Sequence, residues 1–356
     1  DSILSRLVYG RIIFPSSKLA TFDLSSRFIE QPDFDIQHVY RALDVISKET
    51  DFIQSELYKN SLKLSKRNTG VLYYDCTNYF FEIEEESGLR EYGHSKDHKP
   101  NPIVQMGLFM DGDGIPLAFD IHSGRTNEQK TLKPLEKRIL SDYKLSSFVV
   151  CTDAGLSSIE NRKFNDMGNR AFITTQSVKM LKDHLKEWAL DPKGWMYGDS
   201  GKTHDISKLD EEKDYLKTFH KERWFNENGL EQRLIVTYSL KYRNYKMQIR
   251  ENQVQRAVDV IEKNPAKLKK SSSNDYKRFI EKINVTTDGE VAEKELLSID
   301  NTLVSKEAMY DGFYAVCTNL EDEVSDIIRV NQRRWEIEEC FRIMKSEFKS
   351  RPVYLS

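Results

Sequence analysis

The segment VLYYDCTNYFFEI, residues 71–83, decides the fold class of this chain. β-branched and aromatic residues fill it, a composition typical of a long and buried β-strand. Asp75 stands in the middle of these apolar residues. Because burying a carboxylate among apolar residues is costly unless its charge is paired or binds a metal, Asp75 is the first candidate functional residue.

The segments that follow predict a sheet with helices around it. Two apolar runs, 102–110 and 116–121, are separated by the sequence DGDG, and a short Asp-Gly connector of this kind predicts a β-hairpin. Helical and strand patterns then alternate along the chain, with helices at 132–140 and 157–165 and strands at 148–153 and 171–175. This order predicts an α/β fold with a mixed sheet flanked by helices.

The flanking regions differ in character from this core. Residues 1–66 show apolar residues at helical spacing from Ile36 onward, after a helix start marked by Asp33 and Asp35, and are a candidate DNA-binding region. The polar, lysine-rich stretch that follows the core has one clear strand at 233–242 and breaks the alternation, as an insertion would. We therefore predict a helical N-terminal region at 1–66, a core at 67–178, an insertion domain at 179–309, and the second part of the core at 310–356.

Composition excludes several classes of protein. No apolar run is long enough to span a membrane, and no signal peptide is visible. The four cysteines form no CxxC pair, which disfavours a zinc knuckle or a disulfide framework and makes a reducing cytoplasm the expected location. A net charge of −3 gives no general attraction to nucleic acid, so any DNA binding must depend on local clusters of cations. Because the chain begins with Asp1 and ends abruptly at Ser356, we expect a fragment of a longer protein.

The last helical pattern, at 324–348, presents an acid beside two cations. Ile337, Phe341, Met344 and Phe348 follow one another at helical spacing and predict a single buried stripe. Arg334, Glu338 and Lys345 are four and seven residues apart and fall together on a neighbouring face of the same helix.

Three carboxylates, Asp75, Asp153 and Glu338, form a candidate metal site. Asp153 ends a predicted strand, and if that strand neighbours the strand of Asp75, both acids emerge on one face. Carboxylates are the ligands that Mg²⁺ prefers. Simpler explanations exist for two of the three: Asp153 before Ala154-Gly155 could cap a helix, and Glu338 could form an exposed ion pair with Arg334.

The sequence NQRRWEIEECFRIMK, residues 331–345, resembles the signature of bacterial insertion-sequence transposases of the DDE superfamily. That signature is Tyr, two residues, Arg, three residues, Glu, six residues, Lys; Arg334, Glu338 and Lys345 match it, whereas Asn331 replaces the Tyr. YYDCTNYFFE around Asp75 and VVCTDAGLSS around Asp153 resemble the two aspartate strands of that family. The resemblance covers residues 71–177 and 311–354.

This resemblance implies an RNase H-like core with a β-rich insertion between the second Asp and the Glu. It implies that Asp75, Asp153 and Glu338 bind two Mg²⁺ ions, for which Mn²⁺ can substitute. Water would cleave DNA at the ends of the element, and the freed 3′-hydroxyl would attack target DNA at the same site. A homodimer of a bacterial, nucleoid-associated protein would bridge two transposon ends. Arg334 and Lys345 would hold transposon-end DNA, with Trp335 between them and Asn331 in the Tyr position.

Other lysines and arginines are weaker candidates for DNA contact. Lys96 and Arg125 lie in predicted loops beside the core strands. Within the predicted insertion, a lysine-rich loop contains Lys263, Lys267, Lys269 and Lys270. These cations could equally be solvated surface charges. The sequence SGKT at 200–203 resembles the end of a P-loop, but Met196 occupies the position of its first Gly, so no nucleotide cofactor is expected.

Two alternatives to a transposase stay open at the level of sequence. One is an RNase H-like DNA nuclease or resolvase that cleaves without joining strands. The other is a truncated, catalytically inactive DNA-binding remnant.

Overall fold

The computed structural model describes residues 2–198, 201–263, 274–285, 294–351 and 353. Its helices are α1 Ser2–Ile13, α2 Lys18–Ser25, α3 Ile36–Lys48, α4 Thr50–Ser61, α5 Leu132–Asp142, α6 Ile159–Asn165, α7 Asp183–Leu190, α8 Leu240–Lys263, α9 Asn301–Ala308, α10 Val324–Gln332 and α11 Trp335–Arg342. Its strands are β1 Val71–Phe80, β2 Ile103–Asp111, β3 Pro116–Ser123, β4 Ser147–Thr152, β5 Asn169–Gln176, β6 Trp195–Met196, β7 Thr203–His204, β8 Phe219–Glu227, β9 Leu230–Tyr238, β10 Ile280–Val285, β11 Lys294–Ile299 and β12 Phe313–Thr318.

The chain forms two compact units. The first contains Asp1–Thr175, Asn226–Gln232 and Cys317–Ser356, and the second contains Gln176–Phe225 and Arg233–Val316. None of the described helices has both the length and the apolar character that a membrane crossing requires.

The first unit contains the predicted mixed sheet. Its strand order is β3-β2-β1-β4-β5, with β1 antiparallel to β2, β2 antiparallel to β3, and both β1–β4 and β4–β5 parallel. Three antiparallel strands followed by two parallel ones, with helices on the faces, is the RNase H-like arrangement. The predicted α/β fold class is therefore confirmed, and the helices α1–α4 precede this sheet as expected.

The β2–β3 hairpin turns at the predicted DGDG sequence. Gly114 adopts a φ of +82°, a conformation that glycine tolerates without the steric cost of a Cβ atom. The carboxylate of Asp111 accepts hydrogen bonds from the N–H groups of Asp113 and Ile115, which closes the turn. The same carboxylate is fully buried against the guanidinium of Arg67, with 2.5 Å between Nε and Oδ2, so that the chain before β1 is tied to the hairpin.

One face of this sheet carries the main apolar core. The apolar side of α5, at Leu132, Leu135 and Ile139, packs on the β1 side chains Leu72 and Tyr74. Because side chains alternate along a strand, the odd-numbered residues of β1 around Asp75 face the other way.

The helices α10 and α11 contact that opposite face. The hydroxyl of Tyr73 donates to the carbonyl of Val330 over 2.9 Å, and the hydroxyl of Tyr79 lies 3.9 Å from the sulfur of Met344. Ile337 and Phe341 are buried, as the predicted apolar stripe requires. The C-terminal helices therefore run along β1 past Asp75.

The prediction of one continuous helix over 324–348 is wrong, because the structure has two α-helices and a π-helical turn there. The chain changes hydrogen-bonding pattern after Gln332, where Arg334, Glu336 and Ile337 donate to carbonyls three residues earlier rather than four. A π-helical turn, Ile343–Glu347, follows α11 and contains Lys345. Residue periodicity detects the apolar face, but it does not distinguish tightened and widened turns from regular α-helix.

The second unit combines strands and helices. Its strands follow the order β12-β9-β8-β6-β7, and β10 pairs with β11 in a separate antiparallel hairpin. The strand predicted at 233–242 begins and ends earlier, at Leu230 and Tyr238, and is followed by the helix α8.

Candidate active site

The register between β1 and β4 places two of the predicted acids side by side. Tyr73 pairs with Cys151 in this parallel ladder. Continuing the same register by two residues sets Asp75 opposite Asp153, the first residue after β4. Neighbouring strands lie about 4.8 Å apart, and residues two apart on a strand share a face. Asp75 and Asp153 therefore emerge together on the face that α10 and α11 contact.

The carboxyl group of Asp75 is buried, with 9% of the residue exposed. Its pKa is raised to about 6, mainly by burial and less by the charge of Asp153, while Lys96, the N–H of Cys76 and Arg334 act in the opposite direction. Its Oδ1 accepts a hydrogen bond from the N–H of Cys76 over 2.7 Å. The ionised form of Asp75 is therefore costly mainly because the carboxylate is removed from water, and the charges of Lys96 and Arg334 offset only part of that cost.

Asp153 also serves as a cap, as the simpler explanation of this residue proposed. Its Oδ1 accepts from the N–H of Leu156 over 3.1 Å at the start of the 3₁₀ turn Ala154–Leu156. This contact fixes the carboxylate at the end of β4 and engages one of its two oxygens. The capping role and the proposed ligand role are compatible.

Glu338 lies apart from the two aspartates. Its side chain is 62% exposed, and its carboxylate lies 3.5 Å from the guanidinium of Arg334 one turn earlier. Among the described residues, no three His, Cys, Asp or Glu side chains are close enough together to hold a metal ion. The structure thus brings Asp75 and Asp153 together and leaves Glu338 in the ion pair that was its simpler explanation, on a helix that crosses their face.

Arg334 acts on the site from the turn between α10 and α11. Its charge lowers the pKa of Asp75 and opposes the burial that raises the pKa of Cys151. Its Nε is buried and has no hydrogen-bond partner in the part of the chain that the structure describes. An unpaired donor of this kind beside two acids is suited to a phosphate oxygen.

Lys345 is the second cation of the signature and is largely buried. Its ammonium lies 3.9 Å from the carboxylate of Asp97 and 5.6 Å from the ring centre of Tyr79. Burial lowers its pKa, Asp97 raises it, and the charges of Arg351 and Lys96 lower it again. Lys96, a weaker candidate in the sequence, therefore belongs to the same group of charges as Asp75 and Lys345.

The other predicted DNA contacts lie elsewhere. Trp335 is 60% exposed on α11. Arg125 forms an exposed ion pair with Glu86 over 2.6 Å, and Lys263 lies 3.6 Å from Asp259 on α8. Lys267, Lys269 and Lys270 lie outside the described residues.

Asn331, in the Tyr position of the signature, is buried. It was predicted to contact DNA from the Tyr position of the signature, but it is only 4% exposed. Its amide oxygen lies 3.5 Å from the hydroxyl of Thr175 and 3.9 Å from the sulfur of Cys151. The amide therefore lies between the sheet and α10, and its contact with DNA stays a prediction.

Two residues at the site were missed by sequence reasoning. Glu128 lies 3.1 Å from the ammonium of Lys96, and Asn78 is buried against the loop that carries Lys96. Asn78 follows Asp75 by three residues in an otherwise apolar strand, which was a usable signal. Glu128 stands in a polar loop where a solvated acid is the normal expectation.

Comparison with known proteins places these residues in context. The chain matches the family described as "Transposase DDE domain" over residues 80–355. No curated protein matches it. Among solved structures, it is similar to a chain of the "Cryo-EM structure of piggyBac transposase synaptic complex with hairpin DNA", with 9% identity and a TM-score of 0.35. The similarity covers 78% of this chain and 40% of that one, so this chain spans less than half of that relative's length.

Proposed function

We propose that this chain, which belongs to the transposase DDE domain family, catalyses metal-dependent cleavage of DNA at the ends of an insertion sequence and strand transfer into target DNA. The observation that carries the proposal is the register of β1 on β4, which sets Asp75 in the middle of β1 beside Asp153 at the end of β4, close enough for the charge of Asp153 to act on Asp75. Two carboxylates on one face, of which Asp75 is buried, fit a hard divalent cation such as Mg²⁺ or Mn²⁺. When bound there, the cation supplies positive charge at the reacting phosphate.

Glu338 is the proposed third ligand, and Arg334 controls its availability. The two side chains neutralise each other in the DNA-free chain. A DNA phosphate that engages the guanidinium of Arg334 would release the Glu338 carboxylate, which stands one helical turn away and is exposed enough to turn. An exposed pair of this type is worth only a few tenths of a kcal/mol, so its rupture is a small barrier.

Arg334 and Lys345 are the proposed contacts to transposon-end DNA. Arg334 offers a fork of donors that includes the unpaired Nε, and Lys345 adds charge from the adjacent π-helical turn. Both lie beside acids in a chain of net charge −3, so the attraction to DNA is local. In this proposal, the protein acts by holding the DNA phosphate in the orientation that the reaction needs. No side chain forms a covalent bond to the DNA.

The first test compares Asp153→Asn with Asp142→Asn. We expect Asp153→Asn to abolish Mg²⁺-dependent cleavage of a plasmid that carries the DNA flanking the coding sequence, while retention of the same DNA stays within about twofold. Asp142 is exposed at the end of α5 and serves as a matched control that retains cleavage. Equal cleavage by Asp153→Asn and the unaltered protein would overturn the proposed site.

The same assay tests the third acid and the alternatives. Glu338→Gln should lose cleavage, whereas Glu339→Gln should keep it, because Glu339 pairs with Arg342 on another side of the helix. Cleaved ends without joined products would indicate a nuclease or resolvase. Retention of DNA without cleavage by the unaltered chain would indicate an inactive remnant.

A further inference from the structure

Lys96 occupies a defined position beside the acid pair. It lies in the loop between β1 and β2, and its ammonium donates to the carbonyl oxygen of Cys76, the residue after Asp75, over 2.5 Å. The same ammonium lies 3.1 Å from the carboxylate of Glu128. About a third of the side chain is exposed, at 36%, while the ammonium contacts these two partners.

A buried amide fixes the loop that carries Lys96. Asn78 is 1% exposed on β1, where its side chain accepts a hydrogen bond from the N–H of Lys96 over 3.3 Å and donates to the carbonyl of His94 over 3.1 Å. Glu128 approaches from a short 3₁₀ turn, Glu128–Lys130, whose start is capped by Asn127. Residues from three separate segments therefore hold one ammonium beside Asp75, whereas a flexible surface lysine has no such set of fixed contacts.

The charges of this group are mutually dependent. Burial lowers the pKa of Lys96, but the charges of Asp75 and Glu128 raise it by more, so the net shift is upward. Among the groups that act on Asp75, Lys96 has the largest effect that lowers the pKa of its carboxyl. Lys96 thus supplies positive charge that offsets part of the cost of burying the charge of Asp75.

We propose that Lys96 is a positioning residue that acts as the built-in counter-charge of the Asp75–Asp153 pair and competes with the divalent cation for it. This inference rests on the proposed function, because it assumes that the acid pair binds a cation. An ammonium and a divalent cation beside one carboxylate repel each other, so the presence of Lys96 weakens cation binding. Glu128 gives the ammonium a second acidic partner, which allows Lys96 to stay nearby when the cation arrives.

The competition predicts that Lys96→Met destabilises the protein without divalent cations but lets it bind Mg²⁺ more tightly. Without divalent cations, the variant should melt at a lower temperature than the unaltered protein at pH 8, because the repulsion between the two aspartates is no longer offset. With MgCl₂ added at constant ionic strength, the midpoint concentration for thermal stabilisation should fall by roughly tenfold, the effect of one unit charge at close range near the surface. The readout is the melting temperature, so no activity is needed.

Conservative and neighbouring variants separate charge from structure. Lys96→Arg keeps the charge and should restore both the melting temperature and the Mg²⁺ midpoint to near those of the unaltered protein. Lys96→Gln is a second neutral variant and should repeat the result of Lys96→Met if that variant folds poorly. Lys99→Met is the matched control, because the Lys99 ammonium lies over the ring of Phe80 at 5.5 Å, and its Mg²⁺ midpoint should be unchanged.

The outcomes distinguish this inference from the function on which it rests. If MgCl₂ stabilises the unaltered protein but the midpoint is the same in both neutral Lys96 variants, the inference is wrong and the proposed metal site stands. If MgCl₂ fails to stabilise the unaltered protein or any variant, the proposed metal site itself is contradicted. A lower midpoint in both neutral variants, with recovery in Lys96→Arg, supports the inference.

Discussion

Asp75 carries a charge that the metal-free protein accommodates poorly. Burial raises the pKa of its carboxyl to about 6, so the folded protein binds this proton more tightly than the unfolded chain does. The stability that Asp75 contributes is therefore complete below the unfolded pKa of about 4, and it is lost as the pH rises through 6. At neutral pH the ionised group therefore destabilises the fold.

We expect Asp75→Asn to stabilise the metal-free protein at pH 8. The gain should be at most about 3 kcal/mol, since one pKa unit corresponds to about 1.4 kcal/mol, and it should shrink as the pH is lowered from 6 toward 4. The hydrogen bond from the N–H of Cys76 can be kept by the asparagine oxygen. Urea unfolding in EDTA across this pH range measures the effect, with Asp142→Asn as an exposed control. A variant less stable than the unaltered protein at pH 8 would contradict the raised pKa.

At the scale of elements, the hairpin β2–β3 depends on one buried ion pair. Arg67 donates to Asp111 and to the carbonyls of Ile115 and Pro116, and both charged side chains are nearly inaccessible to solvent. A buried pair adds little net stability over an apolar pair of the same shape, but the removal of one partner leaves an uncompensated charge.

Arg67→Met should therefore destabilise the chain by about 3–5 kcal/mol, because it leaves the fully buried Asp111 carboxylate without its cation. The free energy of unfolding in urea is the measurement. Arg125→Met removes an exposed pair with Glu86 and should cost less than about 1 kcal/mol. The double variant Arg67→Met with Asp111→Asn should recover part of the loss; no recovery would mean that the arginine acts mainly through its carbonyl contacts.

The C-terminal helices carry the signature residues on irregular turns. Arg334 stands where the hydrogen bonds tighten between α10 and α11, and Lys345 stands in the π-helical turn after α11. Such irregular turns are frequent at functional sites, because they change the direction in which a side chain projects without ending the helix. Glu338 lies apart from Asp75 and Asp153, so the proposed three-acid site requires its side chain or its helix to move.

At the scale of the whole molecule, the net charge of −3 leaves DNA attraction to a few cations. Each phosphate contact contributes about one unit to the slope of log affinity against log salt concentration. Arg334→Met and Lys345→Met should each weaken DNA retention and reduce this slope by roughly one. Lys137→Met is the control, since Lys137 is exposed on α5, on the opposite face of the sheet. Titration of a DNA duplex at several NaCl concentrations measures the slopes. If Arg334→Met and Lys345→Met have the same slope as the Lys137→Met control and the unaltered protein, neither residue contacts a phosphate.

The sequence by itself determined the five strands of the first unit's sheet, the fold class and the apolar face of the last helix. Each of these depends on local patterns: β-branched and aromatic residues around Asp75, an Asp-Gly turn, and apolar residues at helical spacing up to Phe348. It also singled out Asp75, because an unpaired acid in an apolar strand has few structural explanations.

Only the tertiary structure decided which charged groups meet. The register of β1 on β4 brings Asp75 beside Asp153, and the loop after β1 brings Lys96 to Glu128, although these residues are far apart in sequence. The burial of Asn331 and the exposure of Glu338 likewise follow from how α10 and α11 pack on the sheet. Local periodicity specifies which side of an element is apolar, but the distance between two polar groups depends on strand register and helix packing, and these are set by contacts between distant segments.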